Sequence, residues 1–181
     1  MRIETSAFIV VVAVTTVPGV AYAQRPAIGV SIGQTVTSSL YLNNGPGVAG
    51  DVEGPISPRV SLRGQVGVAT RDITGLSYAG TLKPLYFLGN VVYDWDNGKW
   101  RPYVTAGGGM YRYSFEEAGV TGSHTNAGID VGGGAAYLFT RDAAVTFETL
   151  YHRMGNVPTN RATLGFKGSF WSINVGAKKY F

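Results

Sequence analysis

Three ionisable side chains, Asp130, Glu148 and His152, have the types and spacing that best suit acid–base chemistry in this sequence. Glu148 and His152 stand four residues apart in an alternating segment, so a β-strand places both on one face. A turn centred on Arg141 sets Asp130 opposite His152 and Gly134 opposite Glu148. An acid beside a histidine can activate a hydroxyl nucleophile, so these residues form a candidate acid–base site.

A structural role accounts for the same three residues, and it is the interpretation we favour. A barrel of about eight strands has an interior that its own side chains fill. Inward His, Asp, Glu and Arg side chains can fill it as a network of salt bridges. We therefore predict no catalytic residues and no enzymatic activity, and we keep the acid–base site as an alternative.

Metal and cofactor sites are not expected. The chain has two histidines on different segments and no cysteine, which do not make a metal-ligand set. Glycine triplets at 107–109 and 132–134 lie within predicted strands and lack the Lys-Ser/Thr of a phosphate loop. We interpret the triplets as sites of close packing.

The elements that must position these groups are strands with period-two alternation. In the clearest hairpin, a turn centred on Pro58 pairs Glu53 with Arg63 and places Asp51 near Gln65. A slip of one residue would mix the polar and apolar faces. We therefore expect an inward ion pair between Glu53 and Arg63.

The whole chain is predicted to form eight strands whose connections alternate strictly between short and long. The strands are 27–36, 47–56, 60–68, 81–95, 101–115, 127–139, 143–154 and 171–181. Short turns fall at 57–59, 96–99 and 140–142, and longer loops at 38–46, 72–80, 116–126 and 155–170. Strands of about ten residues suit a tilted bilayer crossing. This pattern predicts an all-β, eight-stranded antiparallel up-and-down transmembrane β-barrel with short periplasmic turns and longer extracellular loops.

Side chains are assigned to two faces of this barrel. On segment 101–115 we expect Tyr111, Tyr113 and Phe115 outward. The predicted lumenal polar network is Asp51, Glu53, Arg63, Gln65, Arg112, Asp130, Glu148 and His152. The predicted aromatic residues at the membrane interfaces are Trp95, Trp100, Tyr103, Tyr137, Trp171, Tyr180 and Phe181.

The amino terminus resembles a secretory signal. An apolar run from Ala7 to Val20 is followed by Ala21-Tyr22-Ala23, with small residues at the two positions that a signal peptidase inspects. We predict a cleaved signal peptide of residues 1–23 and a barrel domain of residues 24–181.

The charge pattern bears on the partners of the chain. The net charge is +4 and scattered, without a basic stripe interleaved with aromatic residues, so nucleic acid is not an expected partner. In the fourth loop, Arg161 and Lys167 lie near Arg153 and are candidates for contact with lipopolysaccharide phosphates.

The last segment, Trp171–Phe181, alternates to its terminal aromatic residue and carries Gly176 and Phe181 where the closing strand of bacterial outer-membrane barrels has them. A second segment, Pro102–Gly109, resembles the middle strand of small barrels of this kind. The chain thus resembles the small outer-membrane β-barrels similar to the transmembrane part of outer membrane protein A and to outer membrane protein X. The resemblance implies a monomer in the cell outer membrane. It also implies contacts with outer-membrane lipids and lipopolysaccharide, and recognition of Trp171–Phe181 by the barrel assembly machinery.

A narrower resemblance concerns lipid A deacylases, which carry His-x-Ser-Asn on the penultimate strand. This chain has His152-Arg-Met-Gly-Asn156, with Met154 in the serine position.

Three functions are considered for this chain. The first is a non-catalytic structural or surface-interaction protein that acts through its extracellular loops. The others are a lipid A-modifying enzyme that uses His152 and a soluble periplasmic β-barrel that binds an apolar ligand.

Overall fold

The computed structural model describes residues 25–37, 43–73, 80–95, 98–117, 120–155 and 169–181. The predicted signal peptide lies outside these residues. Among them, no helix is long and apolar enough to cross a membrane.

The described residues are organised as β-strands joined by turns. In chain order the strands are β1 (Ala27–Val36), β2 (Gly45–Pro55), β3 (Val60–Ala69), β4 (Arg71–Ile73), β5 (Gly80–Asp94), β6 (Trp100–Glu117), β7 (Val120–Leu138), β8 (Ala143–Met154) and β9 (Phe170–Tyr180).

These strands close into a barrel. Neighbours along the chain pair antiparallel, and β9 pairs with both β8 and β1. The segments β3 and β4 are separated by Thr70 and both pair with β5, so they act as one strand of an eight-stranded barrel. The predicted fold class is therefore confirmed.

The predicted registers are confirmed as well. Glu53 pairs with Arg63 and Asp51 with Gln65 across β2 and β3. Across β7 and β8, Asp130 pairs with His152 as the turn at residues 140–142 required. Register follows from keeping each face uniform, which is why alternation alone was enough to predict it.

Burial alternates along each strand, with large apolar side chains on the outside. Ile32 is 70% exposed and Ile129 is 61% exposed, although both are aliphatic. Such a surface is costly in water and is typical of a barrel surrounded by lipid. The inward positions hold polar, aromatic and small residues together with a few aliphatic ones such as Leu88 and Leu150, so the core lies in the lumen.

The third predicted loop is wrong. Strand β6 continues to Glu117 and β7 begins at Val120, so most of residues 116–126 is a paired hairpin. Strands β6 and β7 have 18 and 19 residues, which is longer than the predicted segments 101–115 and 127–139, whereas β5 has the 15 residues of the predicted segment 81–95. Gly, Ser and Asn in this stretch favour turns locally, but the cross-strand ladder between β6 and β7 overrides those preferences.

The short connections are close to their predicted positions. Bends occupy 56–59 and 139–142. Gly98 of the predicted Asn-Gly turn has a φ of 67°, a conformation that glycine adopts without steric cost. We call the end of the barrel that holds these turns the turn end, and the opposite end the loop end. Most of the predicted loops at 38–46, 72–80 and 155–170 lies outside the described residues.

The first and the last described residues meet at the turn end. The Phe181 amide donates to the Pro26 carbonyl at 3.0 Å, and the Tyr180 amide donates to the Asp142 carbonyl at 2.8 Å. The Arg25 side chain binds the Asp142 carboxylate at 2.7 Å, and this hydrogen bond lowers the pKa of Asp142. The closing strand is thereby tied at its last residues.

Candidate functional site

Arg63 is the centre of a charge network at the turn end of the lumen. It is 4% exposed and projects from β3. Its Nε lies 3.1 Å from Glu53 Oε2 on β2, and its Nη1 binds the Glu148 carboxylate on β8. Because β8 lies on the far side of the barrel, this one side chain bridges the bore.

Glu53 is held by further donors. Lys178 Nζ from β9 lies 2.7 Å from Glu53 Oε2 and 3.4 Å from Asp51 Oδ2. Ser61 Oγ donates to Glu53 Oε1 at 2.6 Å. A carboxylate with this many donors stays ionised and fixed, so the arrangement braces the lumen.

Tyr103 also belongs to this network, which corrects its assignment to the membrane interface. Its side chain is buried, and its hydroxyl donates to Glu148 Oε2 at 3.0 Å. The Arg63 guanidinium lies 5.1 Å from the centre of the Tyr103 ring. The ring fits inside because Gly134 on β7 has no side chain, and a Cβ there would stand 2.7 Å from the Tyr103 hydroxyl.

Arg112 lies on β6, as Tyr103 does, and its predicted inward orientation is wrong. Arg112 is exposed on the outer face of β6, while its neighbours Tyr111 and Tyr113 are 0% and 2% exposed. The alternation is as predicted, but the two faces are exchanged. In a narrow bore lined by glycine there is room for tyrosine rings, so aromatic character did not mark the lipid face. The side chain of Phe115 lies outside the described part.

The glycine triplets act as close-packing sites, as predicted. A Cβ on Gly107 would stand 2.7 Å from Asn90 Cα. On Gly132 it would stand 2.8 Å from Leu150 Cα. Both distances are shorter than carbon atoms tolerate, so only glycine lets these strands approach so closely.

His152 lies toward the loop end of the lumen, and each of its ring nitrogens is within hydrogen-bonding distance of a hydroxyl group. Nδ1 lies 3.0 Å from the Tyr111 hydroxyl, and Nε2 lies 3.0 Å from Ser172 Oγ on β9. Asp130 is opposite His152 in register, but its carboxylate binds the Asn90 amide instead. The structure therefore supplies a serine next to His152 that the sequence did not place, with tyrosine rather than aspartate as the orienting group.

Aromatic rings surround His152, which contacts Ser172. His152 stacks on Phe170 with ring centres 4.4 Å apart, and Tyr86 lies 5.5 Å away on another side. His152 is fully buried and Ser172 is 2% exposed. An acyl substrate would have to displace this packing to reach the hydroxyl, which favours the structural interpretation.

The predicted interface aromatics divide between the two faces. Tyr180 lies on the inner face of β9 beside Lys178 and is half-buried, so its outward assignment is wrong. Trp100 and Tyr137 contact each other with ring centres 5.1 Å apart. The predicted residues that are exposed on the outside or at the end of the chain are Trp95, Trp100, Tyr137, Trp171 and Phe181.

Some residues of the network were missed by sequence reasoning. Ser172 and Lys178 stand at even positions of β9, which are all small or polar between Phe170 and Tyr180. That alternation was a sufficient signal that they face the lumen. Among the described residues, no cluster of three or more His, Asp or Glu suits a metal ion.

A closed barrel with an apolar outside and a charged, side-chain-filled inside defines the class of transmembrane β-barrels. Residues 6–178 match the family described as the outer membrane protein beta-barrel domain, and the chain belongs to that family. It is an outer-membrane β-barrel protein. The family and the apolar outer face both argue against the soluble alternative.

Solved structures of the same fold come from several bacteria. Neisserial surface protein A is 20% identical with a TM-score of 0.65, covering 86% of this chain and 96% of that one. A major outer membrane protein of Thermus thermophilus is 14% identical with a TM-score of 0.61, covering 86% and 99%. Ail, the attachment invasion locus protein of Yersinia pestis, is 13% identical with a TM-score of 0.58 in its complex with a heparin analogue, covering 87% and 99%. A search among curated proteins gave no match.

Proposed function

We propose that this protein is a non-catalytic surface protein that binds partners through a sheet at the loop end. The sheet is formed by the loop-end parts of β5, β6 and β7, which extend beyond the other strands, and we call it the protruding sheet. The observation that carries the proposal is the unequal length of its strands. Pairing between β5 and β6 continues to Gly80 and Glu117, and β6 pairs with β7 to the hairpin end. Strand β6 has 18 residues against 10 in β1, which at about 3.3 Å per residue is roughly 25 Å of additional strand.

In the described part of the chain, the protruding sheet has an edge that no strand covers. Strand β7 pairs with β8 only as far as Gly128 opposite Met154. Within the described part of the chain, no strand covers Val120–Thr125 on that side. An uncovered edge presents backbone donors and acceptors to another extended segment, and strand addition is a common mode of protein recognition.

Attachment proteins of the same fold support this role without establishing it. Ail is described as an attachment invasion locus protein and was crystallised with a heparin analogue. At 13% identity that likeness concerns the fold, so the role of this chain rests on its own protruding sheet.

The proposed lipid partner is lipopolysaccharide, through outward-facing cations. Lys83, Arg112 and Arg153 are exposed on the outside of β5, β6 and β8. On the outer face of β6, Arg112 occupies the next outward position after Met110, which is the last exposed apolar residue described on that strand. Cations just beyond an apolar belt are well placed for phosphate groups of the outer leaflet. Arg161 and Lys167 lie outside the described residues.

Export and assembly complete the proposal. We propose a monomer that is exported with cleavage before Gln24 and recognised by the assembly machinery through Trp171–Phe181. Inside the cell envelope the short turns face the periplasm and the protruding sheet faces the exterior.

The surface role is tested by removing the top of the hairpin. Ser114 and Ser123 are directly opposed, so residues 115–122 can be replaced by an Asn-Gly turn. Cells that express the wild type should adhere to immobilised extracellular-matrix proteins above the empty-vector level. The shortened variant should lose this adhesion while keeping its amount in the outer membrane. Equal adhesion by both forms, or none by the wild type, contradicts the proposal.

The enzymatic alternative retains one specific observation, the contact of His152 with Ser172. A mass spectrum of lipid A from cells that express the wild type, His152→Ala or Ser172→Ala tests it. We expect spectra identical to those of the empty vector. An acyl chain gained or lost only with the wild type would assign the two residues to catalysis.

A further inference from the structure

A second arginine lies at the loop end of the lumen, and no acidic side chain among the described residues pairs with it. Arg71 projects inward from β4 and is 3% exposed. Its Nε donates to Thr35 Oγ1 on β1 at 3.0 Å, and its guanidinium carbon lies 4.1 Å from the centre of the Phe170 ring on β9. The side chain therefore reaches across the bore, as Arg63 does at the turn end.

The two arginines differ in what they bind. Arg63 contacts two carboxylates, whereas Arg71 forms no ion pair with any described residue. The buried carboxylates are bound elsewhere in the barrel: Glu53 and Glu148 by Arg63, Asp51 by Lys178, and Asp130 by Asn90.

Two buried donors remain in the region of Arg71. Within the described residues, neither Arg71 Nη2 nor the Tyr113 hydroxyl has a hydrogen-bond partner, although both atoms are buried. Arg71 on β4 and Tyr113 on β6 flank β5, where their partners Leu82 and Pro84 are consecutive inward positions, so both side chains project into the same part of the lumen. Burying a charged donor without a partner is expensive, so these atoms call for an acceptor.

We propose that the loop end of the lumen binds a small inorganic oxyanion, such as phosphate or sulfate, between Arg71 Nη2 and the Tyr113 hydroxyl. A guanidinium group suits an oxyanion because its N–H groups match the spacing of the oxygens. The tyrosine supplies a neutral donor from a second direction. Both bonds are strengthened by the low dielectric of a lumen closed to bulk water.

The site is closed on the side of the Arg63 network. Toward the turn end, the stacked rings of His152 and Phe170, with Tyr86 beside them, close the bore between Arg71 and the Arg63 network. Arg71 lies outside the protruding sheet, and Tyr113 lies outside the residues 115–122 that the shortened hairpin variant lacks, so the two proposals are tested separately.

The test is titration calorimetry of the full chain, folded in a neutral detergent, with sodium phosphate and sodium sulfate at constant ionic strength. Sodium chloride at the same ionic strength is the reference. The variants are Arg71→Met and Tyr113→Phe. Arg141→Met is the matched control, since it removes an arginine that is exposed in the turn between β7 and β8, at the opposite end of the barrel.

We expect saturable binding of the oxyanion by the wild type and by Arg141→Met. Arg71→Met should bind on the order of 10 to 100 times more weakly, and Tyr113→Phe about five times more weakly, because each loses one buried donor. Arg71→Met removes an unpaired buried charge, so it should fold at least as well as the wild type. Equal binding by Arg71→Met and the wild type overturns the proposal, as does an absence of saturable binding or an equal response to chloride.

Discussion

At the scale of the residue, the lumen is held by a few side chains that each contact several strands. Arg63 is buried and joins β3 to carboxylates on β2 and β8. Such a residue stabilises the barrel only while all partners are present, because any one of them left alone is a buried charge. The sequence predicted the Glu53 contact from hairpin register. It did not predict the Glu148 contact, because pairing patterns do not describe what meets across a bore.

This network makes a prediction for single substitutions. Glu53→Ala and Arg63→Ala should each lower the free energy of unfolding by about 3 to 5 kcal/mol, because each strands a buried charge. Urea unfolding of the protein in lipid vesicles measures the loss. Arg112→Ala, on the outer face, is the control and should change little. If both lumenal variants are as stable as the wild type, the network does not brace the barrel.

Glycine on the inner face should be equally sensitive. Gly134→Val would push its side chain into Tyr103 and the Phe147 carbonyl, which separates the tyrosine from Glu148. We expect a loss of about 1 to 3 kcal/mol from overpacking. Gly89→Val is the matched control, since a Cβ at Gly89 meets no atom within 4 Å. Equal unfolding curves for the two variants would show that the space at Gly134 is not required.

At the scale of the element, alternation and turn spacing predicted the position of nearly every strand but not the length of the longest. Residues 116–126 contain Gly, Ser and Asn, which read locally as a loop, yet β6 and β7 pair through most of them. Alternation also left the choice of face open on β6, where Tyr103 and Arg112 were exchanged. Both errors arise because pairing partners and neighbouring glycines decide the outcome, and neither is visible in a single segment.

The open edge of β7 predicts a particular pattern of amide exchange. In an edge strand, alternate N–H groups point to the neighbour and to solvent. Every second amide within Val120–Thr125 should therefore exchange rapidly with deuterium, while those between bond to β6 and exchange slowly. Hydrogen-exchange NMR of the protein in detergent micelles resolves this. Uniform protection along the segment would mean that its edge is covered.

At the scale of the whole molecule, the closed barrel explains why the outside is apolar and the inside charged. Ladder closure between β1 and β9 leaves no strand edge along the belt of exposed aliphatic residues, as lipid requires. Charge can then be placed inside, where partners satisfy it. Family membership and fold follow from this pattern, whereas the partner of the protruding sheet depends on a surface that the pattern does not specify.

The most direct test of the account is the labelling of single cysteines on intact cells, since the natural chain has none. We predict that Ser123→Cys, on the protruding hairpin, reacts with a membrane-impermeant maleimide on intact cells. Thr140→Cys, in the turn between β7 and β8, should react only after the outer membrane is permeabilised. Labelling of Thr140→Cys on intact cells, or protection of Ser123→Cys there, would contradict a barrel that crosses the outer membrane with its sheet outside.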